Sequence, residues 1–133
     1  MSIKRIKIAE YQDKRGSLDV VEFSSSLPFI PERMFWISRV PTGETRGGHA
    51  HWTCHEALFA ACGSVRIAIE ECGGSSECIE LNSGDDGVII PAGAWCELTD
   101  FTNDAILLVL ASEPYDASGY CHDYQEWKNK KGK

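Results

Sequence analysis

The sequence predicts an all-β fold, a sandwich or a barrel, and three observations carry that prediction. Apolar residues recur with a period close to two over most of the chain. Gly, Pro and Asn/Asp turn signals fall between these runs at short intervals, as "DKRG", "LPFIP", "VPTGE", "CGGSSE", "NSGDDG", "PAGAW" and "FTND". Only the C-terminal "DYQEWKNKKGK" has a helical composition. At 133 residues the chain suffices for one domain with a hydrophobic core, expected to span residues 1–133, and is too short for two ordinary ones.

The elements follow in order. "SLDVVEF" and "RMFWISRV" alternate as strands. His49 and His51, one residue apart, fall on the next strand and leave the same face. After the turn "WTCH", Glu56 alternates with Leu58, Ala60 and Cys62. In "SVRIAIEE", Val65, Ile67 and Ile69 alternate with Arg66, Ala68 and Glu70, so the hairpin from Val65 to Leu81 has a polar outer face. "DGVIIPAG" and "AILLVLAS" are almost continuously apolar and are expected as central strands. The terminal helix is brief, ends in lysines, and is expected to fray.

Thirteen basic against twenty acidic residues give a formal charge of −7, which opposes long-range attraction to nucleic acid or anionic lipid. A small anionic ligand in a local basic pocket remains open. Met1 to Glu10 has no apolar segment of the signal-peptide kind, and runs such as "AILLVLA" are far below the ~20 residues that span a bilayer. The expectation is a soluble cytoplasmic protein without a membrane partner. Six cysteines without a CxxC pair read as free thiols, although Cys72 and Cys78 flank a turn across which oxidation would join them.

Chemistry concentrates in "GETRGGHAHWTCHEALFAACG", which holds three of the four histidines. His49 and His51 share a face, and Glu56 is placed to join them from the following strand. Two imidazoles and a carboxylate facing inward suit a metal with open positions and suit proton transfer equally. His55 and His122, without such a context, read as structural. Tyr115, Asp116 and Tyr120 read as closing one end of the barrel.

The spacing Gly43, His49-x-His51, Glu56, Gly63 resembles the first motif of the cupin superfamily, and "PAGAWC" resembles the second, with Cys96 where that motif has histidine. The resemblance implies a double-stranded β-helix, or jelly roll, with a short C-terminal helix. A narrower resemblance covers nearly the whole chain. "RGSL", "PF" followed by "ERMFWI", "RGGHAH", "GSVRI", "IIPAGAW" and "DFTNDAILLVLAS" are similar to the WxcM-like nucleotide-sugar 3,4-ketoisomerases. The chain departs from that pattern at Phe35 and Trp36, which replace two tyrosines, at Gly48, which replaces an aromatic residue, at Glu56, where glutamine is common, and at Cys96.

That resemblance implies a dTDP-4-keto-6-deoxyhexose substrate whose carbonyl moves from C4 to C3, on the way to amino sugars of surface polysaccharide. It implies no metal or other cofactor, and a homodimer, with the N-terminal strands available for pairing. An imidazole titrating near ~6.5 serves as base and then as acid. His51 is the expected base, with His49 orienting it or shuttling a proton between oxygens. Arg15, Arg33 and Arg46 are candidates for the diphosphate, because guanidinium matches phosphate with a planar fork. Trp36 and Trp95 are candidates to stack on the nucleobase, and Glu56 to contact the sugar. Two alternatives stand beside this reading. One is a metal-dependent cupin using His49, His51, Glu56 and Cys96; the other is a sugar-nucleotide-binding module without turnover.

Overall fold

The computed structural model describes residues 3–71 and 73–131. Strand β1 is Arg5–Ile6, and β2 (Ala9–Asp13) and β3 (Gly16–Val20) form a hairpin. A short helix, α1 (Phe23–Ser26), leads to β4 (Arg33–Ser38), β5 (Arg46–His51) and β6 (Glu56–Cys62). Then come β7 (Ser64–Glu70), β8 (Ser76–Asn82), β9 (Gly87–Ile90), β10 (Trp95–Thr99) and β11 (Ile106–Ala111). A 3₁₀ turn at Ala117–Gly119 precedes β12 (Tyr120–Cys121) and helix α2 (Tyr124–Lys131).

Two five-stranded sheets result, in the orders β1-β9-β6-β11-β4 and β12-β5-β10-β7-β8, and every pairing is antiparallel. From β4 to β12 every consecutive pair of strands crosses between the sheets except the β7–β8 hairpin, which is jelly-roll connectivity. The period of two sends Val65, Ile67, Ile69 and Leu98 of one sheet against Leu58, Val88, Leu107 and Val109 of the other. This apolar layer is the main source of stability, at roughly 25 cal/mol per Å² removed from water.

Strands β9 and β11 lie inside the first sheet, as their apolar runs predict. Their second face is also covered: Ala57, Phe59, Ile89 and Leu110 pack beneath Ile6, Ile8, Val21, Leu27 and Phe29 of the N-terminal segment. Burial on both faces explains why alternation disappears there.

The outer face of the second sheet is closed by α2. Trp127, 1% exposed, packs with Ala50, Trp95 and Cys121, and its Nε1 donates to the Gly93 carbonyl at 2.8 Å. The helix expected at the C-terminus is thus present over Tyr124–Lys131, and the Trp127 indole anchors it to the sheet; the last two residues of the tail lie outside the described ones. The β2–β3 hairpin belongs to neither sheet and leaves Tyr11 and Leu18 more than 60% exposed.

Gly63, which turns β6 into β7, has φ +67° and a Cβ built there would sit 2.8 Å from Ala105 Cα, so glycine is required twice over. Among the described residues the cysteines are free thiols, and Cys72 of the suggested Cys72–Cys78 pair lies outside them. Among the described residues no helix is long and apolar enough to cross a membrane.

Candidate active site

The site begins with a break in regular pairing. Between β5 and β10, Cys96 faces His49 and Glu97 faces Gly47, so Gly48 is the extra residue of a β-bulge. Gly47 and Gly48 adopt φ of +79° and +69°, and a Cβ on Gly47 would stand 2.9 Å from the Cys96 carbonyl. The bulge re-aims the strand that follows. Ala50 turns out toward Trp95 and Trp127, while His49 and His51 turn in.

Glu56, the first residue of β6, arrives from the opposite sheet. His51 Nε2 lies 3.3 Å from Glu56 Oε2, and the two residues are 6% and 7% exposed. The contact is close but poorly directed, because Nε2 is fully buried and makes no hydrogen bond of acceptable geometry. We read it as an off-axis electrostatic pairing rather than a hydrogen bond. A buried ring nitrogen without a directed partner is the condition expected of a proton-handling atom.

A cavity of about 220 Å³ adjoins this pair, lined by His49, Glu56, Cys96, Arg46, Tyr120 and His122 among others. His51 lies one layer behind, under Tyr120, with ring centroids 4.2 Å apart. The His49 ring stands edge-on to His51 at 4.8 Å and to Tyr120 at 5.2 Å. His122 touches His49 at 5.8 Å and stacks on Tyr120 at 5.6 Å, nearly parallel.

Tyr120 and His122 therefore join the site, and His122 differs from its structural reading in the sequence. Strand β12 pairs with β5 at Tyr120↔His51, and residues 120 and 122 are two apart, like 49 and 51. That spacing was the available signal. A two-residue strand is too short for its periodicity to be noticed.

The other predicted residues divide. Arg46 stands exposed at the cavity rim, and Cys96 is buried in its wall. Phe35 lines the cavity and its neighbour Trp36 faces away, into a surface cleft with Arg39, Pro41, Glu44 and Arg46. Arg33 lies over Phe35 and Tyr115, at 5.3 and 5.7 Å from their ring centroids, beside the site rather than in it.

Two more predicted residues stand away from the cavity. Arg15, in the hairpin turn, pairs with Asp13 at 2.6 Å in its own groove. Trp95 points out of the sandwich into the Trp127 cluster, and its Nε1 donates to Glu97 at 3.1 Å. Within one protomer neither lines the pocket, because strand alternation aims position 95 outward and the hairpin stands apart from both sheets. His55 does play the structural part expected, its Nδ1 accepting from the Ala92 N–H at 3.0 Å.

Electrostatics suit proton transfer. Burial lowers the His49 pKa from its ordinary value; His51 and His122 push the same way, and Glu56 opposes them. His49 is thus held neutral at physiological pH. The Cys96 thiol is driven strongly upward, first by burial and then by Glu56 and Glu97, so it stays protonated and inert.

The donor atoms of His49, His51 and Glu56 all lie within 4.8 Å of one another. A first-row ion bonds such ligands at about 2.0–2.2 Å, so the three would close on it only slightly. The donors fit such an ion in type, and Cys96 does not belong to the trio.

The family model described as "FdtA: WxcM-like, C-terminal" matches residues 1–132. The chain belongs to this family. A relative from Aneurinibacillus thermoaerophilus, named TDP-4-oxo-6-deoxy-alpha-D-glucose-3,4-oxoisomerase, is 33% identical over 128 residues, covering 96% of this chain and 91% of that protein. The 3,4-ketoisomerase QdtA of Thermoanaerobacterium thermosaccharolyticum, solved as a histidine-to-asparagine variant in complex with TDP-4-keto-6-deoxyglucose, superposes with a TM-score of 0.90. It shares 34% identity, with 96% of this chain and 92% of that one covered. A 3,4-ketoisomerase from Helicobacter canadensis gives a TM-score of 0.92 at 32% identity, covering 100% and 99%.

Proposed function

We propose that this protein is a sugar-nucleotide 3,4-ketoisomerase acting on a TDP-4-keto-6-deoxyhexose by histidine acid/base catalysis. The observation that carries the reading is the buried His51–Glu56 pair beside His49 at the cavity, with His51 Nε2 lacking a directed hydrogen bond. The names of its relatives support the substrate class and the isomerase activity.

In the proposed reaction His51 takes the proton from C3, the C3–H electrons form an enediolate, and a proton returns to C4. The C3 hydroxyl loses its proton to become the carbonyl, and the former C4 carbonyl oxygen gains one. His49 is placed to carry the proton between these oxygens, and Arg46 supplies positive charge at the rim. Because Tyr120 covers His51, its ring must turn aside for C3 to reach the base.

A cavity of about 220 Å³ is smaller than the ~300–1,000 Å³ that holds a drug-sized ligand, so it suits a sugar ring and leaves the nucleotide outside. The cleft shared by Arg46 and Trp36 is the adjacent surface for the diphosphate and base. We further infer a cytoplasmic enzyme of one cupin domain. It assembles as a homodimer through the hairpin that exposes Tyr11 and Leu18.

Incubation with TDP-4-keto-6-deoxyglucose tests the activity through appearance of the 3-keto product by NMR. Absence of product at high enzyme concentration, with binding retained, favours the binding-module reading. The metal-dependent reading rests on the clustered donors. Stoichiometric metal whose removal abolishes turnover would establish it.

A further inference from the structure

His51 is sealed. Its Nε2 is fully buried, Tyr120 covers the ring, and Glu56 flanks it from the other sheet. Once a sugar fills the cavity, His49 loses its remaining contact with bulk water as well. A proton held by this pair then has few ways out.

The ionisable groups lining the cavity are Arg46, His49, Glu56, Cys96, Tyr120 and His122. The Arg46 guanidinium offers donors and no acceptor. Cys96 is buried and its thiol is pushed upward. Glu56 is itself buried against His51. His122 is an imidazole, the side chain suited to give and take protons near neutrality, and it is exposed.

Three imidazoles thus run from buried to exposed: His51, then His49 at 4.8 Å, then His122 at 5.8 Å from His49. Tyr120 contacts all three rings, lying over His51 and beside His49 and His122. Resting on the ketoisomerase reading, we propose that His122 is the outlet through which the His49–His51 pair exchanges protons with solvent while substrate is bound. His122 is a positioning and exchange residue, not one that touches the reacting carbons.

The experiment follows a label. Substrate deuterated at C3 is converted in ordinary water, and the deuterium remaining at C4 of the product is measured by NMR and mass spectrometry. When His51 takes the deuteron, the C3–D bond breaks. The deuteron leaves through His49 and His122, a proton returns by the same path, and the C4–H bond forms.

Native enzyme is expected to lose most of the label. The His122→Phe and His122→Gln variants should retain severalfold more, and imidazole added to the medium should restore the loss. Equal retention in native and variant enzymes, or full retention by the native enzyme, overturns the proposal while leaving isomerisation intact. No product from native enzyme overturns the ketoisomerase reading instead, and this one with it. A change in folding alone would not respond to added imidazole.

Discussion

His51 and Glu56 meet across the sandwich: the imidazole comes from one sheet, the carboxylate from the other, and Nε2 and Oε2 stand 3.3 Å apart with both residues buried. The carboxylate is placed to stabilise an imidazolium once His51 accepts a proton. Glu56→Gln keeps shape and removes that charge. We expect kcat to fall by about one to two orders of magnitude with KM little changed, measured by steady-state kinetics on folded protein.

His51→Asn removes the proposed base and should lower kcat by roughly 10²–10⁴ while TDP still binds. His49→Asn should cost less if it only shuttles the oxygen proton. The reverse ranking in parallel assays of the two variants would transfer the base role to His49.

The pH dependence has a definite sign. The folded pKa of His49 lies below its unfolded value near ~6.5, because burial, His51 and His122 outweigh Glu56. Between those two values the unfolded chain binds more protons. The contribution of His49 to stability is therefore complete above ~6.5 and is lost as pH falls toward the folded pKa. Denaturant titrations across pH 4 to 8, conditions chosen to bracket ~6.5, should show this slope flattened in His49→Gln.

Gly63→Ala tests the fold apart from the chemistry. A left-handed φ of +67° and a contact of 2.8 Å with Ala105 Cα combine against any side chain. The expected loss is about 2–4 kcal/mol, read as a lower denaturation midpoint.

Chelator treatment followed by metal analysis should leave turnover intact. Converting Cys96, which faces His49 across the β5–β10 ladder, to histidine would add a fourth nitrogen or oxygen donor beside the trio. Cys96→His should acquire zinc or nickel that the native protein does not retain, detected by elemental analysis.

Much of this was legible in the residues. Period-two alternation placed the core strands, and the single residue between His49 and His51 put both on one face. The sequence reading could not see that Trp95 points outward, because its aromatic neighbours Tyr124 and Trp127 lie about thirty residues downstream and only α2 reveals the pocket they make. Nor could it set Tyr120, read as closing a barrel end, and His122, read as structural, beside His49 and His51. Their membership depends on a pairing with β5 between segments distant in sequence, which no local window contains.

That pairing has a consequence in time. The histidine pair is encoded roughly seventy residues before the tyrosine that roofs His51, so β5 is made long before β12 exists to dock on it. Without β12, β5 would be the edge strand of its sheet and His51 would lack the ring that covers it. Only the late arrival of β12, backed by Trp127 on the same sheet, completes the cluster of rings around the two imidazoles.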